Sequence, residues 1–457
     1  MAIPSKQIGW GTESNLLWQI AKQIQYLTQV TGNITPAPGG SGPFKYNANA
    51  TGIEPILGAN SSNGINATIG GGFSNTASGA YSTVGGGYSN SASNSYATIS
   101  GGFDNTASGS RATVGGGQLN TASGGLSTVG GGLCNSSSGC YSFIGGGKGN
   151  ISSNPYSTVS GGQSNTASGY RSTVGGGINN TASGCLSIVS GGLSNTASNN
   201  YSTVGGGRSN IASGYISTIG GGYCNITNAR FSIIGGGQRN IIQSPTNECC
   251  SLGVTIGGGI GHNTTGGTLN ATTGDLTGAI TCCNAGRLST ISGGLLNCGT
   301  GACSSIGGGQ CNTASGSRSS IGGGCSNTAS GSSSIGGGYV NTASGPRSFI
   351  GGGTLNTASG LFSTVGGGYC NITSGNRSTV GGGQCNTASG CLSAILGGTL
   401  NSTNSCACAM IVGSCITADR ICATFVNNLS IKNIPTASAG LPSGAVWSNV
   451  GILTIVP

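Results

Sequence analysis

The chain has 457 residues, of which 95 are glycine, and only 5% are aromatic and 5% are charged. This composition provides neither a large aromatic core nor an ordinary charged surface, which argues against a series of compact globular domains. The formal net charge of +9 comes from 15 Lys and Arg set against 6 Asp and Glu, spread along the chain without a basic cluster or an 18-residue apolar run, so neither a nucleic-acid partner nor a membrane-spanning helix is expected.

The first segment, residues 1–34, is predicted to be an anchor that contains one helix. Its apolar residues follow the 3-4-3 spacing of a helix face: Leu17, Ile20, Ile24 and Leu27. A helix of two heptads is too short to be stable alone, so we expect it to bind two further copies or a docking surface. The start has no apolar region typical of a secretory signal. Residues 35–59, which begin with "TPAPGGSGPF" after Ile34, are predicted to be a Pro/Gly linker.

From residue 60 onwards the sequence repeats with a period of fifteen residues. We number each repeat from the first residue of its glycine triplet, so that position 1 falls every fifteen residues from 70 to 235, then at 257, and again from 292 to 396. Such a repeat predicts an all-β solenoid, a parallel β-roll whose coils each take about fifteen residues. Roll I is expected over residues 60–240 and roll II over residues 292–405.

Within a repeat, the segment "YSTV" alternates in the manner of a short strand. This pattern places Ser202 and Val204 inside the roll and Tyr201 and Thr203 outside. The glycine triplet is predicted to form a corner at which the backbones approach too closely for a Cβ atom. "NTASG" is predicted to form a second turn, with its alanine, such as Ala388, pointing inward.

Position 6 is the most constant position of the repeat, and it is asparagine in nearly every unit: Asn75, Asn90, Asn105, Asn120 and onwards to Asn386. In coils stacked about 4.8 Å apart, these side chains are predicted to form a hydrogen-bonded amide ladder. The unit at 257 has His262 at this position. We expect the ladder to be interrupted there.

Residues 241–291 are predicted to be an insertion between the two rolls, and residues 406–457 a β cap that covers the open end of the second roll. The chain has 19 cysteines, a number typical of an oxidising location. Within the insertion, disulfides are expected to hold the loops together, with a metal site as the alternative. The candidates are Cys249, Cys250, Cys282 and Cys283.

Two further cysteine pairs occupy positions 5 and 11 of one repeat, Cys134 with Cys140 and Cys385 with Cys391. Because each pair flanks a predicted five-residue turn, we expect each to form a disulfide that clamps it. Cys370 and Cys385 occupy the same position of neighbouring repeats. Pairing of these two along the stack is the alternative.

The sequence offers little for catalysis, because six acidic residues and one histidine leave few candidates for acid, base or nucleophile. We expect a protein that is not an enzyme and that uses no cofactor or metal. Position 12 holds a column of aromatic and cationic residues: Tyr81, Tyr96, Arg111, Tyr141, Tyr156 and Arg171. Such a stripe is a candidate for glycan binding by ring stacking and charge. The alternative is that it solubilises the roll or packs between chains.

The pattern "STVGGGxxNTASG" resembles the head repeats of trimeric autotransporter adhesins, over residues 60–240 and 292–405. The resemblance implies a left-handed parallel β-roll with three chains side by side. Members of that family also have a signal peptide, a coiled-coil stalk and a membrane-anchoring barrel, which we do not recognise here. Instead, "IPSKQIGWGTESNLLWQIAKQIQYL" at the start and "GLPSGAVWSNVGILTIVP" at the end resemble the termini of phage and large-virus structural and fibre proteins.

These observations together predict a homotrimeric fibre on the surface or tail of a virion, located outside the cell. Its partners would be two further copies of the chain, a capsid or tail base protein at the N-terminus, and a cell-surface glycan. The alternative is a self-assembling extracellular filament, or a bacterial adhesin or matrix protein. An ice-binding role for the Thr83, Thr98, Thr113 and Thr128 column is less favoured, because a Tyr/Arg column lies beside it.

Overall fold

The computed structural model describes residues 23, 44–46, 52–56, 58–243, 252–270, 276–282, 284–427, 435–436, 439–443, 445–449 and 452–455. The predicted anchor helix with Leu17, Ile20, Ile24 and Leu27 lies outside these residues, so it stays a prediction. The predicted all-β solenoid is confirmed: about 23 coils stack in parallel along the described chain.

One long sheet of 25 strands runs the length of the stack, and each coil contributes one strand at positions 14 and 15. All pairings from the second strand onwards are parallel, as between Thr83 and Thr98, because successive coils repeat the same backbone path. The strands are Phe44–Tyr46, Gly52–Pro55, Ala67–Ile69, Thr83–Val84, Thr98–Ile99, Thr113–Val114, Thr128–Val129, Phe143–Ile144, Thr158–Val159, Thr173–Val174, Ile188–Val189, Thr203–Val204, Thr218–Ile219, Ile233–Ile234, Thr255–Ile256, Thr290–Ile291, Ser305–Ile306, Ser320–Ile321, Ser334–Ile335, Phe349–Ile350, Thr364–Val365, Thr379–Val380, Ala394–Ile395, Met410–Val412 and Thr424–Val426.

A second side of each coil is a two-residue strand at positions 7 and 8. These strands form one sheet of 12 and one of 7 strands. The first sheet comprises Thr76–Ala77, Ser91–Ala92, Thr106–Ala107, Thr121–Ala122, Ser136–Ser137, Ile151–Ser152, Thr166–Ala167, Thr181–Ala182, Thr196–Ala197, Ile211–Ala212, Ile226–Thr227 and Ile241–Ile242, and the other Cys298–Gly299, Thr313–Ala314, Thr328–Ala329, Thr342–Ala343, Thr357–Ala358, Ile372–Thr373 and Thr387–Ala388. The segment "NTASG" therefore contains a strand, where a turn was predicted.

A third side is formed by single parallel bridges at position 4, such as Phe73 to Tyr88 and Tyr88 to Phe103. Two corners of each coil use left-handed backbone at positions that are mostly not glycine. Ser89 at position 5 has φ of 55°, and Tyr96 at position 12 has φ of 59°. Hydrogen bonds between coils hold these conformations, because the N–H of Tyr96 donates to the carbonyl of Ala80 at 2.8 Å.

The interior of the solenoid is one side chain wide, and four positions of each coil point into it. Positions 8 and 15 contribute small apolar groups, as Ala92 and Ile99 do. Positions 6 and 13 contribute buried polar groups, as Asn210 and Ser202 do. The predicted inward direction of Ser202, Val204 and Ala388 is confirmed, since all three are fully buried or nearly so.

The solenoid continues through the predicted insertion, residues 241–291. Ile256 pairs with Ile234 on one side and with Ile291 on the other, both in parallel. The extra residues leave the coil as excursions. One of them is an antiparallel hairpin of strands Thr264–Leu269 and Leu276–Cys282. Rolls I and II are thus one stack in the long sheet.

Between residues 60 and 401, the departures from the fifteen-residue period fall at the edge between the second side and the long sheet, positions 7 to 12. Ladder partners are 22 and 35 residues apart where the two excursions occur. They are 14 apart between Asn327 and Asn341, where one residue is missing. The remaining positions keep their geometry because no residue is added or lost there.

The described C-terminal residues extend the stack before they leave it. Met410–Val412 pairs in parallel with Thr424–Val426, which adds a further coil beyond residue 405. Val446–Asn449 and Ile452–Ile455 form a separate antiparallel hairpin. No helix among the described residues is long and apolar enough to cross a bilayer.

Candidate functional site

The asparagines at position 6 form a continuous ladder of hydrogen bonds inside the stack. Asn120 donates its backbone N–H to Oδ1 of Asn105 at 3.0 Å, and its own Oδ1 accepts the N–H of Asn135 at 3.0 Å. Its Nδ2 donates to the carbonyls of Gly116 at 3.0 Å and Gly132 at 2.8 Å. The same pattern holds at Asn75, Asn90, Asn105 and Asn386. Each amide therefore joins three coils and two glycine triplets.

His262 takes an asparagine's place in the ladder, so the expected interruption does not occur. Its backbone N–H donates to Oδ1 of Asn240 at 3.0 Å. Its Nδ1 accepts the N–H of Asn297 at 3.2 Å. The ring is fully buried, and this burial lowers the pKa of His262 to about 4. The histidine is therefore neutral at physiological pH and serves as a hydrogen-bond acceptor.

The stripe at position 12 divides into two short clusters. Tyr81 and Tyr96 stack with their ring centroids 5.0 Å apart and their planes 5° from parallel, and Arg111 lies 5.5 Å from the Tyr96 centroid. Tyr141 and Tyr156 stack in the same way at 5.0 Å and 2°, with Arg171 at 5.4 Å from Tyr156. Leu126 occupies position 12 of the coil between the two clusters. The column is therefore discontinuous.

The stacking leaves few aromatic faces open in these clusters. The ring of Tyr96 is covered by Tyr81 on one side and by the Arg111 guanidinium on the other. Sugar rings bind proteins by lying on an open aromatic face, whereas these clusters turn ring edges and hydroxyl groups to solvent. The rings thus pack on one another, which favours the alternative given above that the column solubilises the surface or packs between chains.

A second aromatic cluster, which was not predicted, lies at position 4. Phe73 and Tyr88 stack at 5.7 Å, and Tyr88 and Phe103 stack at 5.3 Å. The signal was present in the sequence, because the three residues are spaced by fifteen. Their rings also cover one another.

The outer face of the long sheet carries no charged side chain at positions 14, 1 and 2 of the described coils. Threonine dominates position 14. Ser305, Ser320 and Ser334 take its place in three successive coils, and Phe349 follows them. These smaller residues leave a shallow open groove beside the Phe349 ring. The groove is lined by hydroxyl, aliphatic, aromatic and backbone groups, and none of its lining residues is acidic or basic.

The structure does not show the predicted disulfide clamps at positions 5 and 11. None of Cys134, Cys140, Cys385 and Cys391 forms a disulfide. The physical reason is that the segment between the cysteines contains an extended strand, Ser136–Ser137 in the first case and Thr387–Ala388 in the second. An extended chain advances about 3.3 Å per residue, so the strand holds each pair at opposite ends of one side of the coil.

The structure instead brings together cysteines on neighbouring coils. The thiol of Cys385 faces that of Cys370, and this contact, together with burial, raises the pKa of Cys385. The thiol of Cys408 faces that of Cys422, which raises the pKa of Cys408. The first pair is the alternative that the sequence left open, and the second was not predicted.

The predicted staple of the insertion lies mostly outside the described residues. Cys249, Cys250 and Cys283 are not among them, and of Cys282 only the backbone is described, where it pairs with Thr264. Within the part of the chain that the structure describes, no three His, Cys, Asp or Glu side chains are grouped so as to hold a metal ion.

Comparison with known proteins identifies no relative of this chain. No protein-family model matches the chain, and no curated protein matches its sequence.

Proposed function

We propose that the chain is a structural fibre protein of a virion surface or tail, which acts as a rigid homotrimeric rod and performs no catalysis. The observation that carries the proposal is the continuous stack of about 23 coils. At about 4.8 Å per coil, this stack is roughly 110 Å long. A rod of this kind separates its two ends by a fixed distance, as an attachment fibre must.

The distribution of side chains supports a mechanical role. The buried positions are occupied by the amide ladder, by serines and by small apolar groups. In the described coils of residues 60–405, charged residues lie at the corners and on the bridge side, at positions 4, 5, 11 and 12. The buried side chains of the repeat therefore serve to hold one coil on the next.

Association into trimers follows from the same thin interior. Each coil buries few side chains, and a thin fold gains little burial to offset the ordering of its backbone. The uncharged face of the long sheet, with threonine beside glycine, offers a flat surface along the whole rod. Packing three such faces together would add the missing burial, as the resemblance to adhesin heads implies.

Attachment to a host surface is the second part of the proposal. The N-terminal segment would bind the capsid or tail base, and the rod would present its sides to a cell-surface glycan. Because the Tyr81 and Tyr141 clusters have covered ring faces, contact through tyrosine hydroxyls and arginines is expected to be weak and to depend on many copies.

The experiment is to purify the full chain and to measure its mass and shape together. Light scattering is expected to give three times 43.9 kDa, about 132 kDa, and electron microscopy to show rods of uniform length. Immunogold labelling with antibodies to the solenoid is expected to mark the outside of virus particles from the source culture. A monomeric chain, or label absent from particles, would overturn the proposal. Filaments of unlimited length would favour the self-assembling extracellular filament instead.

A further inference from the structure

Two pairs of thiols lie side by side on consecutive coils near the C-terminal end of the stack. Cys370 and Cys385 occupy position 5 of neighbouring coils, and Cys408 and Cys422 occupy position 12. In each pair, one thiol contacts the other. All four residues have left-handed backbone, with φ between 54° and 56°. The Cα–Cβ bonds of a pair therefore leave the two coils in the same direction.

Hydrogen bonds between the coils hold each pair at the spacing of a sheet. Beside the first pair, Asn386 donates its N–H to Oδ1 of Asn371 at 3.0 Å. Beside the second, the N–H of Cys422 donates to the carbonyl of Ala407 at 2.9 Å. Neighbouring strands lie about 4.8 Å apart, which is within the roughly 4.4 to 6.8 Å between Cα atoms that a disulfide spans. Closing the bond requires the two Cβ atoms to approach by a few tenths of an ångström, to within about 4.5 Å.

We propose that Cys370 with Cys385, and Cys408 with Cys422, are oxidised to disulfides that lock consecutive coils together at the C-terminal end of the stack. Each bond would close a ring that contains a single turn of the solenoid. This inference concerns the chain itself and holds whatever the rod attaches to.

The oxidant is a small-molecule disulfide, RSSR. One cysteine thiolate attacks a sulfur of RSSR, which forms a mixed disulfide and releases one RS⁻. The thiolate of the second cysteine then attacks the protein sulfur of the mixed disulfide and releases the second RS⁻. Two protons and two electrons leave the protein and appear in two molecules of RSH.

The environment of the thiols fits this stepwise reaction. All four thiols are free in the structure, Cys408 and Cys422 being exposed and Cys370 and Cys385 half-buried, so a small oxidant reaches them. Burial and the neighbouring Cys370 thiol raise the pKa of Cys385, and contact with the Cys422 thiol raises the pKa of Cys408. Two thiolates side by side repel each other, so one thiol attacks first while its neighbour keeps its proton.

Cys391 is the competing partner, because it lies near Cys408 on the preceding coil. The carbonyl of Cys391 accepts the N–H of Cys408 at 2.8 Å. The two thiols also interact electrostatically. Cys391 occupies position 11, however, whereas Cys408 and Cys422 share position 12. The shared position favours the bond between Cys408 and Cys422.

Tryptic mapping of the full-length chain tests both bonds, because the sites at Arg347, Arg377, Arg420 and Lys432 separate the partners. The chain is oxidised with glutathione disulfide, alkylated and digested without reductant. Fragment 348–377 contains Cys370 alone, fragment 421–432 contains Cys422 alone, and fragment 378–420 contains the other two partners. We expect one product of three linked fragments that separates on reduction. Recovery of 348–377 and 421–432 as free alkylated peptides would overturn the proposal.

Single substitutions assign the partners within fragment 378–420. Cys385→Ser is expected to free fragment 348–377 only, and Cys408→Ser to free fragment 421–432 only. Cys391→Ser is the matched control and is expected to leave both links. Release of fragment 421–432 by Cys391→Ser would refute the bond to Cys408. The peptide map of the unmodified chain decides whether the two disulfides form. This result does not depend on the folding of a variant.

The locking effect has its own measurement. The oxidised chain is expected to unfold at a higher temperature than the reduced chain, and Cys370→Ser combined with Cys422→Ser is expected to abolish the difference. Cys134→Ser is the control, because neither neighbouring coil has a cysteine at position 5. This variant is expected to keep the difference in unfolding temperature. Equal unfolding temperatures for oxidised and reduced chains that carry both links would refute the lock.

Discussion

Asn297 donates its backbone N–H to Nδ1 of His262 at 3.2 Å, in the place where other coils use an asparagine oxygen. An imidazole nitrogen accepts a hydrogen bond only when it carries no proton. The ring is fully buried. The ladder therefore includes one member that titrates.

Acidification is expected to weaken the fold through His262. Its pKa is about 4 in the folded chain, against about 6.5 when unfolded, so the unfolded state binds more protons between these values. Stability is then complete above about pH 6.5 and falls as the pH approaches 4, by about 3 kcal/mol in all. Guanidinium unfolding at pH 7 and at pH 4.5 measures the loss.

The control for this prediction is His262→Asn, which restores the amide of the other coils. Its stability is expected to change little between pH 6.5 and 4. A variant that loses as much stability as the unmodified chain would show that another group is responsible.

The ladder asparagines are expected to be intolerant of an isosteric acid. The carbonyls of Gly116 and Gly132 accept hydrogen bonds from Nδ2 of Asn120. In Asn120→Asp, these two carbonyls would face a carboxylate oxygen instead. The loss of two buried donors is expected to reduce the free energy of unfolding by on the order of 3 kcal/mol. Gln118→Glu makes the same chemical change on the exposed side of that coil and is expected to change it by less than about 0.5 kcal/mol. Similar losses in the two variants would contradict the ladder.

Neighbouring glycines of one triplet are expected to respond differently to alanine. Gly222 has φ of 92°, and a Cβ atom there would lie 2.1 Å from the carbonyl oxygen of Gly237 on the next coil. Gly221 has no atom within 4 Å of such a Cβ. Gly222→Ala is therefore expected to destabilise the chain by more than about 2 kcal/mol, and Gly221→Ala by less than about 1 kcal/mol. Denaturant unfolding of both variants provides the test, and a reversed order would refute the coil geometry.

The tyrosines of position 12 are expected to contribute to stability more than to glycan binding. Tyr156 stacks on Tyr141 at 5.0 Å and contacts Arg171. Tyr156→Ser is expected to lower the free energy of unfolding by about 1 kcal/mol and to leave binding on a glycan array unchanged. Tyr339→Ser is the comparison, because the Tyr339 ring has no aromatic partner in the described coils. Loss of glycan-array binding in Tyr156→Ser but not in Tyr339→Ser would instead support the column at position 12 as a glycan-binding site.

The repeat itself allowed much of this fold to be predicted. Ser202, Val204 and Asn210 are buried as the alternation of the sequence indicates, because every coil has the same neighbour above and below. The parallel pairing of the coils follows from the fixed period. A single repeat therefore contains most of the information on the interior.

The corners and the cysteine contacts were less predictable. Glycine was expected to supply the left-handed backbone, yet Ser89 and Tyr96 also adopt it, since hydrogen bonds to another coil hold them there. The strand Ser136–Ser137 is only two residues long, and its partners lie fifteen residues away on each side, so "NSSSG" suggests a turn by its composition. His262 was expected to interrupt the ladder because its acceptor nitrogen cannot be recognised without the position of Asn297.

The edge at which the coils of residues 60–401 change length makes this protein a scaffold for peptide display. The hairpin between Asn263 and Asn284 already projects there while Ile256 and Ile291 remain paired. A foreign epitope placed between positions 9 and 11 of any regular coil would leave the stack at the same edge. The distance between two displayed epitopes would then be set by the number of coils between them, in steps of about 4.8 Å.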